Sequence, residues 1–483
     1  MKKKLSEFKI FGFFIMAVLL SLNVISTPGC GWPDKESGNT DKSIREREES
    51  KKDMNSLQSR LEAYLTAAAQ AWGFQGSVLV ARGEEIVLKT GLGTAVYEGK
   101  IPNTPRTKFL IASMTKTLTA AAVMKLREEG RVSLDETVAD YLPEFKDIVG
   151  HEMTLRHLLS HTSGLPEFSP QMVDISNMRA PVASRLLVES IRGKEPLFQP
   201  GKGAEYSNIG YVLLGLVIEK VSGLSYEDWM EEHIFSPLGM ADTGVYSDFP
   251  FPAGFACGYI RDGNGNLKLA PYIHPSWAFS AGALFSTAED LFKWGRALST
   301  GMLLSKESVR VMFRAQSDSF GLGWIVGEAF NRKTAAHGGG APGYISWMEL
   351  WPDEEVFTVV LSNVSGIPGG EIGRSLAALV FGESCEMPVH RAALAIGPEV
   401  LKEFEGGFRQ DSGEISEVVL EKKSLFVIRD GSRFPILPYR RDRFFLPSYP
   451  GALIRFVRDG RGAVSGFISH ELGVDKHALK LHR

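Results

Sequence analysis

One segment of the 483-residue chain constrains its fold more than any other, the run from Ala112 to Glu129. Ala, Leu and Met recur in this run on every side of a helix, and Gly130 follows it as a stop signal. A helix that is apolar all round is enclosed by other elements on all sides. The sequence therefore predicts a domain built around this helix, and the chain length allows two or three domains.

Strand patterns lie on both sides of the buried helix in the sequence. Before it, residues 76–82 and 85–93 flank the turn Gly83-Glu84, which predicts a hairpin. After it, residues 347–355 and 356–363 predict two late strands. Helical spacing predicts further helices at 57–68, 155–160, 209–221, 226–234 and 288–298. A hairpin, helices and then returning strands predict the α+β class, with an antiparallel sheet flanked by helices.

The composition changes after about Ser384. From Val418 onward, short β-type runs are separated by turn signals such as Asp430-Gly431 and Asp459-Gly460, and no long helical period occurs. This pattern predicts a small all-β domain over residues 395–483, an ordinary size for a separate domain.

The first residues have the pattern of an export signal. Lys2 to Lys4 precede an apolar run from Ile10 to Ile25, and small residues follow that run. We therefore expect residues 1–30 to direct export to the periplasm or cell envelope, with an uncleaved membrane anchor as the alternative. Cys30 stands where a bacterial lipoprotein carries its lipidated cysteine, although the residues just before it fit that pattern poorly.

A strongly charged stretch follows the export pattern. Thirteen of the twenty residues from Asp34 to Asp53 are charged, and Ile44 is the only large apolar residue among them. Such a stretch cannot bury enough apolar surface to fold alone. It predicts a disordered linker over residues 31–55, with a short charged helix as the alternative.

Charge and cysteine usage exclude several classes of protein. The net charge is −3, without the basic excess or the motifs of a nucleic-acid-binding protein. Apart from Cys30 the only cysteines are Cys257 and Cys385, and two isolated buried thiols are favoured over a disulfide. His157 and His161 stand four residues apart, as two zinc ligands can, but no third ligand follows at a metal-like spacing. We expect neither a metal nor another cofactor.

Ser113 and Lys116 stand at the start of the buried helix. Residues three apart share one helical face, so the two side chains can meet. A serine hydroxyl is a weak nucleophile until a base removes its proton, and a lysine in an apolar setting has a lowered pKa that suits it for this task. The helix N-terminus adds backbone N–H groups that stabilise an oxyanion. The same spacing recurs from Ser6 to Lys9, so the pair alone is not specific.

Tyr206-Ser207-Asn208 precedes a second apolar helix and is the only Tyr-x-Asn in the chain. A tyrosine beside a lysine can exchange protons with it, and an asparagine can hold a substrate amide. A helix N-cap next to a buried tyrosine would explain the same residues without any catalytic role.

His337 opens a run of three glycines, Gly338 to Gly340, ahead of the strand around Trp347. Glycines allow a backbone to approach a substrate closely. The histidine would offer a proton donor or a cation, and with an ordinary pKa of about 6.5 it would be partly charged near neutral pH. A plain glycine-rich turn is the alternative.

The order Ser-x-x-Lys, Tyr-x-Asn, His-x-Gly resembles the serine β-lactamase-related hydrolases. These include class C β-lactamases, D-alanyl-D-alanine carboxypeptidases, D-aminopeptidases and related esterases. Connecting segments such as LRHLLSHTSGLP and HGGGAPGY match as well. The resemblance implies a hydrolase domain over residues 56–384, in which the sheet and an all-helical subdomain enclose the site. The run LKEFEGGF resembles the start of the small β-barrel-like domains that many such hydrolases carry.

The resemblance also implies a role for each motif residue. Ser113 would be the acylated nucleophile, Lys116 and Tyr206 would share proton transfer, and Asn208 would position the substrate. The backbone N–H groups of Ser113 and Gly340 would form the oxyanion hole.

The third motif bears on the substrate. His337, Gly339 and Gly340 would bind it, but class C β-lactamases carry Lys-Thr-Gly where this chain has His-Gly-Gly. We therefore expect a serine hydrolase that forms an acyl-enzyme with an ester or a D-amino peptide, from a small-molecule or peptidoglycan-derived substrate. Two alternatives stay open: a β-lactamase, and a non-catalytic penicillin-binding or peptidoglycan-binding sensor.

Overall fold

The computed structural model of the chain describes residues 40–167, 178–246, 251–262, 265–317, 319–410, 413, 415–429, 432–447, 449–471 and 474–481. The predicted export signal, residues 1–30 with Cys30, lies outside the described residues.

In the sequence, most helices lie between the early strands and the late strands of the large sheet. In chain order they are α1 Thr40–Trp72, α2 Thr115–Glu128, α3 Val138–Tyr141, α4 Lys146–Val149, α5 Leu155–Leu159, α6 Ser184–Glu189, α7 Asn208–Ser222, α8 Tyr226–Met230, α9 Ser236–Leu238, α10 Ala288–Thr300, α11 Lys306–Met312, α12 Gly369–Phe381 and α13 Pro398–Leu401. A π-helical turn, Glu231–Phe235, joins α8 to α9. Short 3₁₀ turns cover Ala112–Met114, Pro143–Phe145, Pro275–Trp277, Phe279–Ala281 and Lys402–Phe404.

The strands divide between the hydrolase-like region and the C-terminal region. The first group is β1 Gly76–Arg82, β2 Glu85–Leu92, β3 Thr94–Val96, β4 Ile101–Pro102, β5 Phe109–Leu110, β6 Gly244–Val245, β7 Tyr259–Arg261, β8 Leu267–Leu269, β9 Leu284–Ser286, β10 Ile325–Ala329, β11 Arg332–Ala341, β12 Tyr344–Trp351 and β13 Val356–Ser362. The second is β14 Gly406–Gln410, β15 Ile415–Glu421, β16 Ser424–Arg429, β17 Ser432–Arg440, β18 Arg443–Leu446, β19 Tyr449–Arg458, β20 Val464–Glu471 and β21 Val474–Lys480.

The main sheet has six strands in the order β10-β11-β12-β13-β1-β2, and every neighbouring pair is antiparallel. The early hairpin joins the late strands because β1 pairs with β13 from Gly76↔Ser362 to Arg82↔Val356. This arrangement confirms the predicted α+β class. The strand predicted at 347–355 ends earlier, at Trp351, because the chain turns at Pro352.

Helices cover both faces of this sheet. Val78 and Val80 of β1 share one core with Leu61 of α1 and Ile372 of α12. Alternate residues of β1, such as Leu79, point to the opposite face, as strand geometry requires, and share a second core with α2, α7 and α10. The catalytic candidates lie on this second side.

The helix predicted to be buried on all sides is α2. Every residue from Met114 to Met124 is inaccessible to solvent. The predicted run starting at Ala112 consists of the 3₁₀ turn and then the α-helix, since α2 itself begins at Thr115. The helix thus forms the centre of the domain, and its first turn lies at the sheet.

The N-terminal helix extends further than the sequence analysis predicts. Residues 40–55, assigned above to a disordered linker, belong to α1. Glu, Lys and Arg are good helix formers, so a charged run can continue a helix that packing stabilises further along. Among the described residues no single helix is long and apolar enough to cross a bilayer; α7 and Tyr226–Leu238 meet that criterion only together, and they are bent by 81°.

Strands β14 to β21 form a closed eight-stranded barrel. The barrel closes where Phe408 of β14 pairs with Lys480 of β21. Phenylalanines fill the interior, with Phe456 in ring contact with Phe404 and Phe444. An eight-stranded barrel is just wide enough for such a packed interior. The predicted all-β C-terminal domain is confirmed.

The two described cysteines, Cys257 and Cys385, are both free. The expectation of two separate thiols instead of a disulfide therefore agrees with the structure. Both are only partly buried, since each lies at the margin of the core beneath α1 and α12.

Candidate active site

Ser113 lies in the tight turn that precedes α2. Ala112 has a φ of 45°, a left-handed conformation that costs a non-glycine residue about 1–2 kcal/mol. The turn is held from the sheet side, because Ser346 Oγ donates a hydrogen bond of 2.6 Å to the Ile111 carbonyl. Such strain is typical of functional sites, and it leaves the Ser113 side chain partly exposed at the start of a buried helix.

Lys116 lies one turn further on and is fully buried. Its Nζ donates to Ser113 Oγ at 3.2 Å, to Asn208 Oδ1 at 2.9 Å and to the Ala281 carbonyl at 2.7 Å. All three acceptors are neutral. Burial lowers the pKa of Lys116 from 10.5 to about 7, so a neutral amine is available at physiological pH to accept a proton.

Tyr206 completes the group around the serine hydroxyl. Its ring centroid lies 4.8 Å from Lys116 Nζ, and its hydroxyl is hydrogen-bonded to Ser113. Burial raises the pKa of Tyr206, so it is a neutral phenol that can donate a proton. Lys116 and Tyr206 therefore both contact the Ser113 hydroxyl.

Asn208 is the first residue of α7, and Ser207 caps that helix. The Ser207 side chain accepts a hydrogen bond of 3.1 Å from the Gly210 N–H. The cap fixes the helix start, which turns the Asn208 amide toward Lys116 and leaves Tyr206 just outside the helix. The helix cap and the predicted site are therefore both present, on adjacent residues.

Glu167 is a site residue that the sequence analysis missed. Its carboxylate accepts hydrogen bonds from the backbone N–H groups of Asn208 and Ile209 and, at 3.3 Å, from the Asn208 side-chain amide. It fills the anion-binding N-terminus of α7. Burial raises the pKa of Glu167, and its charge in turn favours protonated Lys116. No local signal reveals it, because its partners stand some forty residues away in the sequence.

His161 supports the tyrosine rather than a metal. Its Nδ1 accepts a hydrogen bond of 3.0 Å from the Ser207 N–H, and its ring stacks on Tyr206 at 4.4 Å between centroids. Burial holds the pKa of His161 well below its usual value, so the ring is neutral. His161 was considered above only as a zinc ligand, and its packing role depends on this contact between distant segments.

His157, the other residue of that histidine pair, belongs to a helix cap. Its Nδ1 accepts a hydrogen bond of 3.2 Å from the Thr154 N–H at the start of α5. Across the described residues no group of three His, Cys, Asp or Glu side chains is arranged to hold a metal.

His337 lies on β11, buried and facing the tyrosine. Its ring centroid is 6.4 Å from that of Tyr206, and its Nδ1 lies 2.7 Å from the Gly338 carbonyl oxygen. Burial and the nearby Lys116 lower the pKa of His337 to about 3. The expectation of a partly charged imidazole near neutral pH is therefore wrong, because the protein encloses the ring.

β11 offers an open strand edge beside the serine. β10 pairs with β11 only as far as Ile325↔Ala336, so the segment from His337 to Ala341 has β12 on one side alone. A side chain on Gly339 would meet the Ile111 carbonyl at 2.2 Å and the Ser113 nitrogen at 2.9 Å. Glycine is thus required where the strand passes the turn.

The predicted site residues all come to one place in the fold. They are Ser113, Lys116, Tyr206, Asn208, His337, Gly339 and Gly340. The first four form one hydrogen-bonded group, and the last three line the adjacent edge of β11. Gly340 pairs with Ile345 and is partly exposed, and its part in an oxyanion hole stays a prediction.

The chain is similar to several known proteins. Residues 61–381 match the protein-family model described as Beta-lactamase. The chain is 28% identical over 433 residues to penicillin-binding protein 4* of Bacillus subtilis (strain 168), covering 84% of this chain and 95% of that protein. The octameric penicillin-binding protein homologue from Pyrococcus abyssi is similar in structure, with a TM-score of 0.64, 26% identity and coverage of 87% and 99% of the two chains. The D-amino acid amidase from Ochrobactrum anthropi SV3 gives a TM-score of 0.56, 29% identity and coverage of 65% and 92%.

Proposed function

Because this chain belongs to the Beta-lactamase family, as its motifs predicted, we propose that it is a serine hydrolase that cleaves esters or D-amino peptides through an acyl-enzyme at Ser113. The observation that carries the proposal is the 3.2 Å contact between Lys116 Nζ and Ser113 Oγ. An amine whose pKa is about 7 can remove the hydroxyl proton at physiological pH, which an ordinary lysine cannot do.

Acylation begins with proton transfer inside the buried group. Neutral Lys116 accepts the Ser113 proton while Oγ attacks the substrate carbonyl carbon, and the negative charge moves to the carbonyl oxygen. The backbone N–H groups of Ser113 and Gly340 stabilise that oxyanion. The bond to the leaving group then breaks as the leaving group receives the proton from Lys116 through Tyr206, and an ester of Ser113 remains.

Deacylation reverses the proton path. A water molecule gives a proton to the Lys116–Tyr206 pair as it attacks the ester carbonyl. The ester bond then breaks, Ser113 Oγ recovers its proton, and the carboxylic acid leaves. Asn208 takes part by position, because its side-chain oxygen accepts a hydrogen bond from Lys116 beside the Ser113 hydroxyl. Glu167 fixes Asn208 in turn.

The neutral His337 supports an uncharged substrate group at this point of the site. An imidazole with a pKa of about 3 provides a hydrogen bond but no fixed positive charge. Class C β-lactamases carry a lysine there, which favours a substrate carboxylate. The similarity to a D-amino acid amidase supports a D-amino acid derivative as the substrate.

Export to the cell envelope is part of the proposal. It rests on the pattern of residues 1–30 described above, and a peptidoglycan-derived substrate would be met there. Cell fractionation tests it, with Cys30→Ser as the variant that should release a lipid-anchored protein from the membrane. A protein found in the cytoplasm with Met1 retained would contradict export.

A fluorophosphonate probe tests the nucleophile. Intact-mass and peptide analysis should place one adduct on Ser113 in the wild type and none in Ser113→Ala. Ser299→Ala, which changes an exposed serine on α10, is the matched control and should label like the wild type. Labelling that persists in Ser113→Ala would contradict the proposal that Ser113 is the nucleophile.

A substrate panel then separates the candidate activities. p-Nitrophenyl esters, D-alanyl peptides and a chromogenic cephalosporin should be compared by kcat/KM, and the first two classes should be turned over. Efficient turnover of the cephalosporin alone, at about 10⁴ M⁻¹s⁻¹ or more, would make the chain a β-lactamase. A stable acyl-enzyme with no turnover of any substrate would make it a sensor.

A further inference from the structure

A cleft of about 550 Å³ lies between the hydrolase domain and the outside of the barrel, away from Ser113. One wall belongs to α12 and the segment that follows it, including Ser375 and Ser384. The other wall belongs to β17 through β20 and includes Arg443 and Arg455. This volume is in the range of pockets that bind small organic molecules, about 300–1,000 Å³.

Three arginines stand side by side on the barrel wall. Arg440 of β17 pairs with Arg443 of β18, and Arg443 pairs with Arg455 of β19. We call these three residues the arginine row. Directly opposite residues of antiparallel strands point to the same face, with Cβ atoms about 4.5–5.5 Å apart, and like charges placed so destabilise the sheet.

The described part of the protein does not neutralise the arginine row. None of its three members has an ion pair or side-chain hydrogen bond with a described residue. Other barrel arginines are paired: Arg433 with Glu421, and Arg458 with Asp442 and Glu403. The arginine row differs from these two residues in placing three arginines side by side without a described carboxylate partner.

The carboxylates of the cleft are committed to other partners. Glu386 pairs with Arg391 at 3.5 Å. Glu371 lies on α12 against Gly451 of the barrel and accepts a hydrogen bond of 3.5 Å from Ser375. Neither carboxylate forms an ion pair with Arg443 or Arg455, so these two arginines keep their donors free for a ligand in the cleft.

We propose that this cleft binds an oxyanion, a phosphate or carboxylate group, between Arg443 and Arg455. Guanidinium groups bind both kinds of anion through two parallel hydrogen bonds. The Ser384 hydroxyl on the facing wall offers a further donor, and apolar residues of the lining accommodate an attached organic group. Those apolar residues are Phe330, Tyr439, Leu453 and Ile468. The anion is either a free small molecule or part of an anionic polymer, and the site is independent of the proposed hydrolase activity.

Binding is measured by isothermal titration calorimetry and thermal unfolding at constant ionic strength, with inorganic phosphate, malonate and polyphosphate as probes. At least one probe should bind saturably to the wild type. Arg443→Gln and Arg455→Gln should each weaken binding about tenfold or more, since tenfold corresponds to about 1.4 kcal/mol. Arg461→Gln is the matched control, because it removes an exposed arginine from a turn of the same barrel outside the cleft.

The unfolding curves give a second, independent readout. Without any anion, Arg455→Gln should unfold at a temperature equal to or above that of the wild type, because a like-charge contact is lost. With the probe present, the order should reverse. Tighter binding of polyphosphate than of phosphate identifies a polymer as the source, and equal binding per site identifies a free anion.

The proposal is overturned if no probe binds saturably. It is equally overturned if the two cleft variants respond to the probe as Arg461→Gln does, since the binding would then be general surface attraction. Ester hydrolysis by each variant serves as the check that the hydrolase domain is folded.

Discussion

Among the described residues of the hydrolase domain, Arg374 and Lys116 are basic side chains buried completely on opposite faces of the sheet, and their surroundings differ. Arg374 of α12 meets Glu349 of β12, with Nε 3.0 Å from both carboxylate oxygens. Trp347 donates a further hydrogen bond of 3.2 Å to the same carboxylate. Lys116 has three neutral oxygens as acceptors instead. Arg374 is therefore in an ion pair with a carboxylate, and Lys116 is not.

This difference distinguishes a charge that stabilises the fold from an amine that can act as a base. A buried ion pair keeps both groups ionised and joins the two elements that carry them. A buried amine among neutral acceptors can lose its proton, and burial brings the pKa of Lys116 to about 7. The same domain thus uses burial to secure a helix on one face and to create a base on the other.

Replacing Lys116 with Met should give the largest effect. Loss of the base should lower kcat by about 10³-fold or more, the range found for members of catalytic triads. The fold should tolerate the change, because the three groups that accept hydrogen bonds from Lys116 are neutral and Glu167 keeps its backbone N–H donors at the start of α7. Steady-state kinetics with a p-nitrophenyl ester and thermal unfolding of the same sample measure both. A large loss of stability in this variant would place Lys116 with Arg374 as a structural residue.

The pH dependence of stability sharpens this prediction. The folded protein binds fewer protons than the unfolded chain between pH 7 and 10.5, because the pKa of Lys116 is about 7 in the fold and 10.5 ordinarily. Wild-type stability from this group therefore falls as the pH drops from 10.5 to 7 and is constant below. The unfolding free energy of Lys116→Met, measured relative to wild type, should therefore increase as the pH is lowered from 10.5 to 7.

Replacing Arg374 with Met should have the opposite effect, a large loss of stability with little change in kcat. Glu349 would be left buried and unpaired, which costs about 3–5 kcal/mol of stability. The kcat of the folded fraction should change little, since α12 packs on the face of the sheet opposite to α2 and Ser113. Chemical denaturation measures the stability, and Arg374→Met combined with Glu349→Leu should recover most of it. A double variant as unstable as the single one would contradict the ion-pair account.

Combining variants tests whether Lys116 acts with Tyr206 as one unit. Lys116→Ala and Tyr206→Phe should each lower kcat by about 10³-fold or more, as for Lys116→Met, because both side chains contact the Ser113 hydroxyl. The double variant should be little worse than either single one, as for residues that act together. Losses that multiply would show separate roles.

The smallest expected effect is a shift of the pH profile by Glu167→Gln. The kcat/KM should rise with pH as Lys116 loses its proton, with an apparent pKa near 7. The Glu167 charge favours protonated Lys116, so removing it should move this rise to lower pH. Glu195→Gln, which changes an exposed glutamate, is the control and should leave the profile in place. An unchanged profile in Glu167→Gln would limit that residue to holding Asn208.

The site residues that could be predicted are those joined by short spacing or by motif order. Ser113 and Lys116 are one helical turn apart, and Tyr206 and Asn208 flank a recognisable cap. Glu167 and His161 could not be found this way, since each contacts the start of α7 from more than forty residues away. Their contacts exist only once the chain is folded.

The state of the titratable groups also required the structure. The sequence supplies an imidazole at position 337, but its pKa depends on burial beside Lys116. The α+β class and the all-β C-terminal domain followed from hydrophobic periodicity and turn signals, which are local. Local composition gave a wrong prediction for the charged run before Ser56, because that composition is typical of a linker while α1 extends back to Thr40.

Because β1 lies between β2 and β13 in the sheet, it must wait for one of its two partners during synthesis of the chain. Synthesis at about 5–20 residues per second separates the emergence of β1 from that of β13 by roughly 15–55 s. Throughout that interval the apolar strand Gly76–Arg82 exposes one unpaired edge, which other chains can join. The seven residues of β13 close that edge. A ribosome that stops before Val356 therefore releases a chain prone to aggregate, with Ser113 already made but without the strand that joins the early hairpin to β12.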